Sequence, residues 1–159
     1  MMRTVDKKGI VFIHSFEGCS LVPYLCPAGV PTIGWGNTIY ANGAKVTMKD
    51  KPITKEAAES LFSYILMLFE RDVNSLLKKE VTQNQFNALV SFAYNVGSDI
   101  DVDNIPEGLG DSTLLKKVNR NPNDETIRNE FVKWNKADGK ISSGLVRRRY
   151  EEAKMYFTK

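Results

Sequence analysis

The chain has 159 residues, of which 42% are hydrophobic and 26% charged, with a formal net charge of +3 and a pI near 8.8. These values predict one compact soluble domain with a core of its own; the small positive surplus favours an anionic polymer but is too slight to argue for nucleic acid. No apolar run reaches the roughly 18 residues of a membrane span. The patch from Ile10 to Ile13 is too short for a signal sequence, so cytoplasmic synthesis without membrane insertion is expected.

Residues 6–17 predict a helix capped by Asp6, with Ile10, Ile13 and Glu17 on one face and Gly18 as its stop. A carboxylate in the last turn faces the negative end of the helix dipole, and an apolar stripe beside it withholds water. Both effects favour the neutral acid, which suits Glu17 to general-acid chemistry; the alternative is an ordinary solvated residue at a helix end. Residues 20–47 predict turns and short strands. Pro27-Ala28-Gly29 makes one turn, Asn42-Gly43 is the strongest hairpin signal, and Val30, Thr32 and Ile33 suit a strand. The stretch 16–38 therefore brings an acid, a thiol (Cys26) and a hydroxyl (Thr32) into one region. Trp35, between Gly34 and Gly36, is read as a packing residue in preference to a sugar platform.

Thr54 predicts the cap of a long helix reaching about Lys79. Thr82-Gln83-Asn84-Gln85 is a capping box that starts a helix through Val96, apolar all round and so expected at the centre of a helical lobe, with Gly97 as its end. The acidic loop Ser98–Asp111 resembles the start of a calcium loop. It has Asn104 where glycine is needed and Gly110 where a bidentate acid is needed, so a solvated insertion is the better reading. Ser112 caps a short helix and Asp124 begins another carrying Ile127, Phe131 and Trp134. Ala137-Asp138-Gly139 reads as a loop, and a last helix starts near Ser143. Its three arginines, 147–149, fall at about 100° steps and cannot share one partner, while Arg148 can pair with Glu152 at i, i+4.

One histidine, His14, excludes a zinc hydrolase built on two or more histidines, and neither thiol sits in a nucleophile motif for a Cys–His hydrolase. No metal or other cofactor is expected. Two cysteines do not make a disulfide scaffold, so reduced thiols are the plain reading.

Glu17, eight residues, Cys26, five residues, Thr32 resembles the pattern of the phage-type lysozymes, in which a glutamate is followed at the same spacing by aspartate or cysteine and then threonine. The frame agrees: Phe16-Glu17-Gly18, Thr32-Ile33-Gly34-Trp35-Gly36, the helix Phe86–Gly97, Ser112-Thr113-Leu114-Leu115 and Gly144–Arg149 with Glu152. The Ser98–Asp111 loop looks longer than the family's. The resemblance implies an α+β, two-lobed lysozyme-like fold as a single domain, 1–159. Its sheet lobe would run over about 18–53, a connecting helix over about 54–79, and a helical lobe over about 80–159 together with the N-terminal helix. It implies hydrolysis of the β-1,4 bond between N-acetylmuramic acid and N-acetylglucosamine, with Glu17 as general acid, Thr32 helping to place the water, and Cys26 at the position more often held by aspartate. Tyr94, Thr113 and Arg148 match substrate-binding positions, and inversion of configuration is expected. The implied setting is a monomeric phage or prophage endolysin that waits in the host cytoplasm and reaches its peptidoglycan substrate through a holin lesion. A lytic transglycosylase and a non-catalytic wall-binding module are the alternatives. Cys19 and Cys26, seven residues apart, form a possible redox pair if the turn between them brings them within disulfide reach.

Overall fold

Asp6 caps the first helix, its Oδ1 accepting from Gly9 N at 3.0 Å, and α1 runs over Lys7–Phe16. Glu17 N donates to Ile13 O at 3.0 Å, so the acid stands on the closing turn. The structure, a computed structural model, describes residues 2–101 and 103–159. It is an α+β chain in two compact units: Val11–Leu68 form one, and the chain up to Ile10 with Phe69–Lys159 forms the other.

In the first unit, β1 (Ser20–Leu25) pairs antiparallel with β2 (Pro31–Gly34), with Tyr24 opposite Thr32 and Leu25 opposite Pro31. The register slips between Ser20 and Tyr24. Pro23 lies in that stretch, and a residue without an N–H is tolerated where the ladder is already broken. Cys26-Pro27-Ala28-Gly29 closes the hairpin, Gly29 N donating to Cys26 O at 2.7 Å. The expected hairpin at Asn42-Gly43 forms only an isolated bridge, Ile39 to Lys45. Gly43 N donates to Tyr40 O at 2.9 Å and Gly43 has φ 82°, so a glycine bulge follows the turn. α2 (Lys55–Leu76) begins in this unit, its first turn capped by Thr54 Oγ1, which accepts from Ala57 N at 3.0 Å. It ends before the expected Lys79. The reason is tertiary: Asn119 donates to Leu76 O at 3.0 Å and accepts from Lys78 N at 2.8 Å, capping the helix from 43 residues away in sequence.

The second unit is built on α3 (Gln83–Val96), whose capping box at Thr82 forms as the sequence predicts. Phe86, Ala88, Leu89, Val90, Phe92 and Ala93 are fully buried, so this is the central helix. It packs on α6 (Ser143–Tyr156), which also packs on α5 (Ile127–Val132), itself beside α4 (Thr113–Arg120). Trp134 lies beyond α5 and packs edge-on against Phe92 at 5.4 Å. The segment read as a plain loop, Ala137-Asp138-Gly139, is the turn of a small hairpin between β3 (Lys136–Ala137) and β4 (Lys140–Ile141). Asp138 at φ 50° and Gly139 at φ 74° supply the two left-handed residues of a primed turn.

The acidic loop is not a purely solvated insertion. Asp99 Oδ2 accepts from Glu107 N, Gly108 N and Asp111 N at 3.1–3.3 Å, and Leu109 beside them is fully buried. Asp99, Asp101 and Asp111 bring carboxylate oxygens within 4.8 Å of one another, but the Asp99 oxygen serves the loop's own backbone. Val102 of this loop lies outside the described residues.

Thr82→Ala removes the bond that Thr82 Oγ1 accepts from Gln85 N, leaving the backbone N–H of residue 82 to Gln85 Oε1, and should cost about 1 kcal/mol of stability. A lower urea midpoint with an unchanged slope is the expected result, and Thr82→Ser should restore it.

Candidate active site

The tight turn over residues 33–37 is the floor on which the acid rests. Ile33 and Asn37 exchange backbone hydrogen bonds, each 2.9 Å, and Asn37 Oδ1 accepts from Trp35 N at 3.2 Å. Gly34 and Gly36 have φ 65° and 79°, conformations side-chain-bearing residues rarely adopt. Gly36 is needed for a second reason. A Cβ there would stand 2.5 Å from Glu17 Oε2 and 3.3 Å from its carboxyl carbon, so the Glu17 carboxylate lies directly against this backbone. Glu17 is half-buried, not extended into open solvent.

Cys26 follows directly on β1 and is also half-buried. Burial pushes its thiol up, but hydrogen-bonding influence from the backbone of Val30, Ala28 and Gly29 and from Thr32 pulls it down further, and the net result is a thiol below its ordinary range. The hairpin turn that brings the chain round thus forms a nest of donors for a negative sulfur. Thr32, directly across the ladder from Tyr24, is buried at 2% exposure, with its Oγ1 donating to Val30 O at 2.8 Å. Its hydroxyl therefore serves the Cys26 turn. Tyr24 was not singled out from sequence. Burial holds its phenol above the usual range, reinforced by the negative charges of Glu17, Cys26 and Cys19. It remains a neutral donor on the strand that leads to Cys26. Strand alternation and the Glu17 spacing could have pointed to it.

Cys19 precedes β1 and is exposed, and both cysteines are free. Burial, then the charge of Glu59, push its thiol up, opposite to Cys26. The six residues of β1 lie between the two cysteines, so a disulfide would require that strand to leave β2.

His14 and Trp35 form a second arrangement that spacing does not reveal. Their rings stack at 3.8 Å and 8°, Phe62 lies 4.3 Å from the His14 ring, and Trp35 Nε1 donates to Glu59 Oε1 at 3.3 Å. The expectation that Trp35 packs is met by these contacts. Burial lowers the His14 pKa, with Glu59 opposing.

The remaining expected site residues belong to the other unit. Tyr94 is half-buried, its ring tilted against Phe69 at 5.3 Å, and Thr113 is exposed at the first position of α4. Arg148, expected along a saccharide groove, is 4% exposed. It donates to Ser91 O at 3.1 Å and pairs with Glu152 at 3.4 Å, as the i, i+4 spacing predicts, while Arg149 pairs with Glu152 at 2.7 Å. Ser91 Oγ donates to the same carboxylate at 2.6 Å. Such burial makes Arg148 an internal cation tying α6 to α3.

The phage lysozyme family model matches residues 14–152. The endolysin of Bacillus phage B103 is 39% identical over 154 residues, covering 97% of this chain and 54% of that protein. The chain thus spans about half the length of that relative. Among solved structures, an endolysin from the Escherichia coli O157:H7 phage FAHEc1 superposes with a TM-score of 0.83 at 35% identity, covering 99% of this chain and 95% of that one. The muramidase domain of SpmX from Asticaccaulis excentricus superposes with a TM-score of 0.75 at 30% identity, covering 99% and 100%. A match running through the acid, the thiol nest and the arginine-bearing last helix makes this chain a member of the phage lysozyme family.

Proposed function

We propose that the chain is a muramidase that cleaves the β-1,4 bond between N-acetylmuramic acid and N-acetylglucosamine in peptidoglycan, as the endolysin of a phage or prophage. The observation that carries this reading is the Glu17 carboxylate seated against the Gly36 backbone, in one compact unit with the hairpin that bears Cys26 and Thr32. Family membership and a solved muramidase domain of similar fold support it.

In this mechanism Glu17 gives its proton to the glycosidic oxygen as the bond to the anomeric carbon breaks. A water oxygen bonds to that carbon from the opposite face, and its proton passes to the Cys26 thiolate, so configuration inverts. The turn amides take the role of a preorganised host for negative charge, with Thr32, whose hydroxyl donates to Val30 O, acting on the water through the turn that carries the sulfur. Tyr94 and Thr113 remain proposed saccharide contacts. No helix among the described residues is long and apolar enough to cross a membrane. The substrate lies beyond the host membrane, so this reading starts the protein in the host cytoplasm and has it reach the wall, as a monomer, through a holin lesion.

Purified chain should clear a peptidoglycan suspension, and Glu17→Gln should slow clearing by about 100-fold or more. Muropeptide mass decides between classes: hydrolysis leaves reducing ends, whereas anhydro-muropeptides, lighter by one water, would make the protein a transglycosylase. Binding without clearing would leave only a wall-binding module.

A neutral hydroxyl cannot replace an anion in the nest, but a carboxylate can. Cys26→Ser should therefore lose most activity and Cys26→Asp should keep much of it; a fully active Cys26→Ser would remove the thiol from the mechanism.

The two thiols are displaced in opposite directions, and the thiolate is the reactive form. As pH rises, iodoacetamide labelling of Cys26 should begin at a lower pH than labelling of Cys19, read by peptide mass. Labelling in the reverse order would contradict the donor nest.

A further inference from the structure

We propose that Trp35, clamped between His14 and the first turns of α2, is a positioning residue that fixes the Glu17 carboxylate by holding Gly36 against it. The proposal rests on the reading of Glu17 as the general acid.

Four contacts close a ring. Glu17 and His14 ride on the same helix end, three residues apart, so they lie on one face about a turn from each other. His14 stacks on Trp35, nearly parallel at 3.8 Å. Trp35 is bonded through the chain to Gly36, and Gly36 lies against Glu17 Oε2. The ring returns to its start with no exposed flexible link in it. α2 holds it from outside: Phe62 packs 4.3 Å from the His14 ring and 6.3 Å from the Trp35 ring, and Glu59 accepts the indole N–H.

The ring acts on one degree of freedom. A glutamate at the end of a helix has three side-chain torsions to fix, and rotamer freedom of that size blurs proton delivery by ångströms. With Gly36 against it, the carboxylate loses the rotamers that point toward the 33–37 turn. Gly36 itself has no side chain to anchor it, so its position depends on its neighbours. Of these, Asn37 is bound to Ile33 and to Trp35 N, and the Trp35 ring is fastened on one face and at its N–H edge.

His14 Nε2 is buried with no hydrogen-bond partner among the described residues. A ring kept at a polar cost is present for its shape and flat face more than for its nitrogen. Phenylalanine at position 14 can therefore stand in for it, whereas alanine cannot.

The test compares His14→Ala, His14→Phe, Trp35→Ala and Glu17→Gln with the parent on soluble uncross-linked peptidoglycan, measuring kcat and KM separately. Each rate is normalised to the folded fraction from thermal unfolding. For a positioning role, His14→Ala and Trp35→Ala should lower kcat roughly 10- to 100-fold with KM within about twofold, and His14→Phe should recover most of the loss. A rise in KM at unchanged kcat would make Trp35 a saccharide platform and overturn the proposal. An unchanged rate per folded molecule would reduce the stack to packing and also overturn it. Glu17→Gln separates the two readings: if it is inactive while the clamp variants keep their kcat, only the clamp fails. If Glu17→Gln is fully active, the general-acid assignment fails first.

Discussion

The approach of the Glu17 carboxylate to the backbone of Gly36 constrains everything around it. No side chain larger than hydrogen fits between them, so the 33–37 turn must be tight and must include a residue tolerant of positive φ. A tight turn in turn needs Ile33 and Asn37 paired across it, and Ile33, fully buried, anchors it in its unit. The preceding hairpin serves the same end from the other side. It is short, broken in register beside Pro23, and closed by a turn whose amides converge on Cys26. In both places backbone, with little side-chain chemistry, shapes the surroundings of a functional group.

Cysteine at position 26 fits this backbone logic. A nest of N–H groups stabilises whatever negative charge sits in it, and it distinguishes weakly between sulfur and oxygen. Aspartate would be ionised there without help. A thiol needs help from its surroundings to ionise more readily, and here the donors outweigh the burial that opposes ionisation. The same environment explains why Cys19, with Glu59 as a neighbour and no such nest, is displaced the other way. Two thiols seven residues apart thus have different chemistry because one follows a strand into its turn and the other precedes that strand.

Much of the fold was legible because its signals are local. Asp6, Thr54, Thr82, Ser112 and Ser142 each cap a helix through a bond spanning three residues, and such bonds leave a readable spacing. The i, i+4 pairing of Arg148 with Glu152 is local in the same way. What escaped the sequence is set by distant partners. The end of α2 depends on Asn119, the burial of Arg148 on Ser91, and the role of Trp35 on a histidine 21 positions earlier in the chain. The Lys136–Ile141 hairpin is a different case: Asp138-Gly139 is a strong turn signal, but strands of two residues are too short to show a period. For the site, the spacing of Glu17, Cys26 and Thr32 pointed to the region. It carried no sign that Thr32 would be buried with its hydroxyl on Val30 O, or that Tyr24 would pair across the ladder from it.

Several departures from local stability lie beside the acid. Gly34 and Gly36 occupy left-handed conformations, and the buried His14 nitrogen lacks a partner. An unsatisfied buried polar atom costs about 1–3 kcal/mol, a sizeable share of a small domain's stability. Elsewhere a buried charge is handled differently: the Glu152 carboxylate is met by Ser91, Arg148 and Arg149 together. The His14 nitrogen, with no hydrogen-bond partner among the described residues, has no such neighbours, and its ring is held by stacking instead. Local rules are broken elsewhere too, at the buried Ser98 hydroxyl and at Asp99, Asn104 and Asp138 with positive φ. At His14 and Gly36, however, the break falls in the ring that ends at the Glu17 carboxylate, where a fixed arrangement offsets its cost.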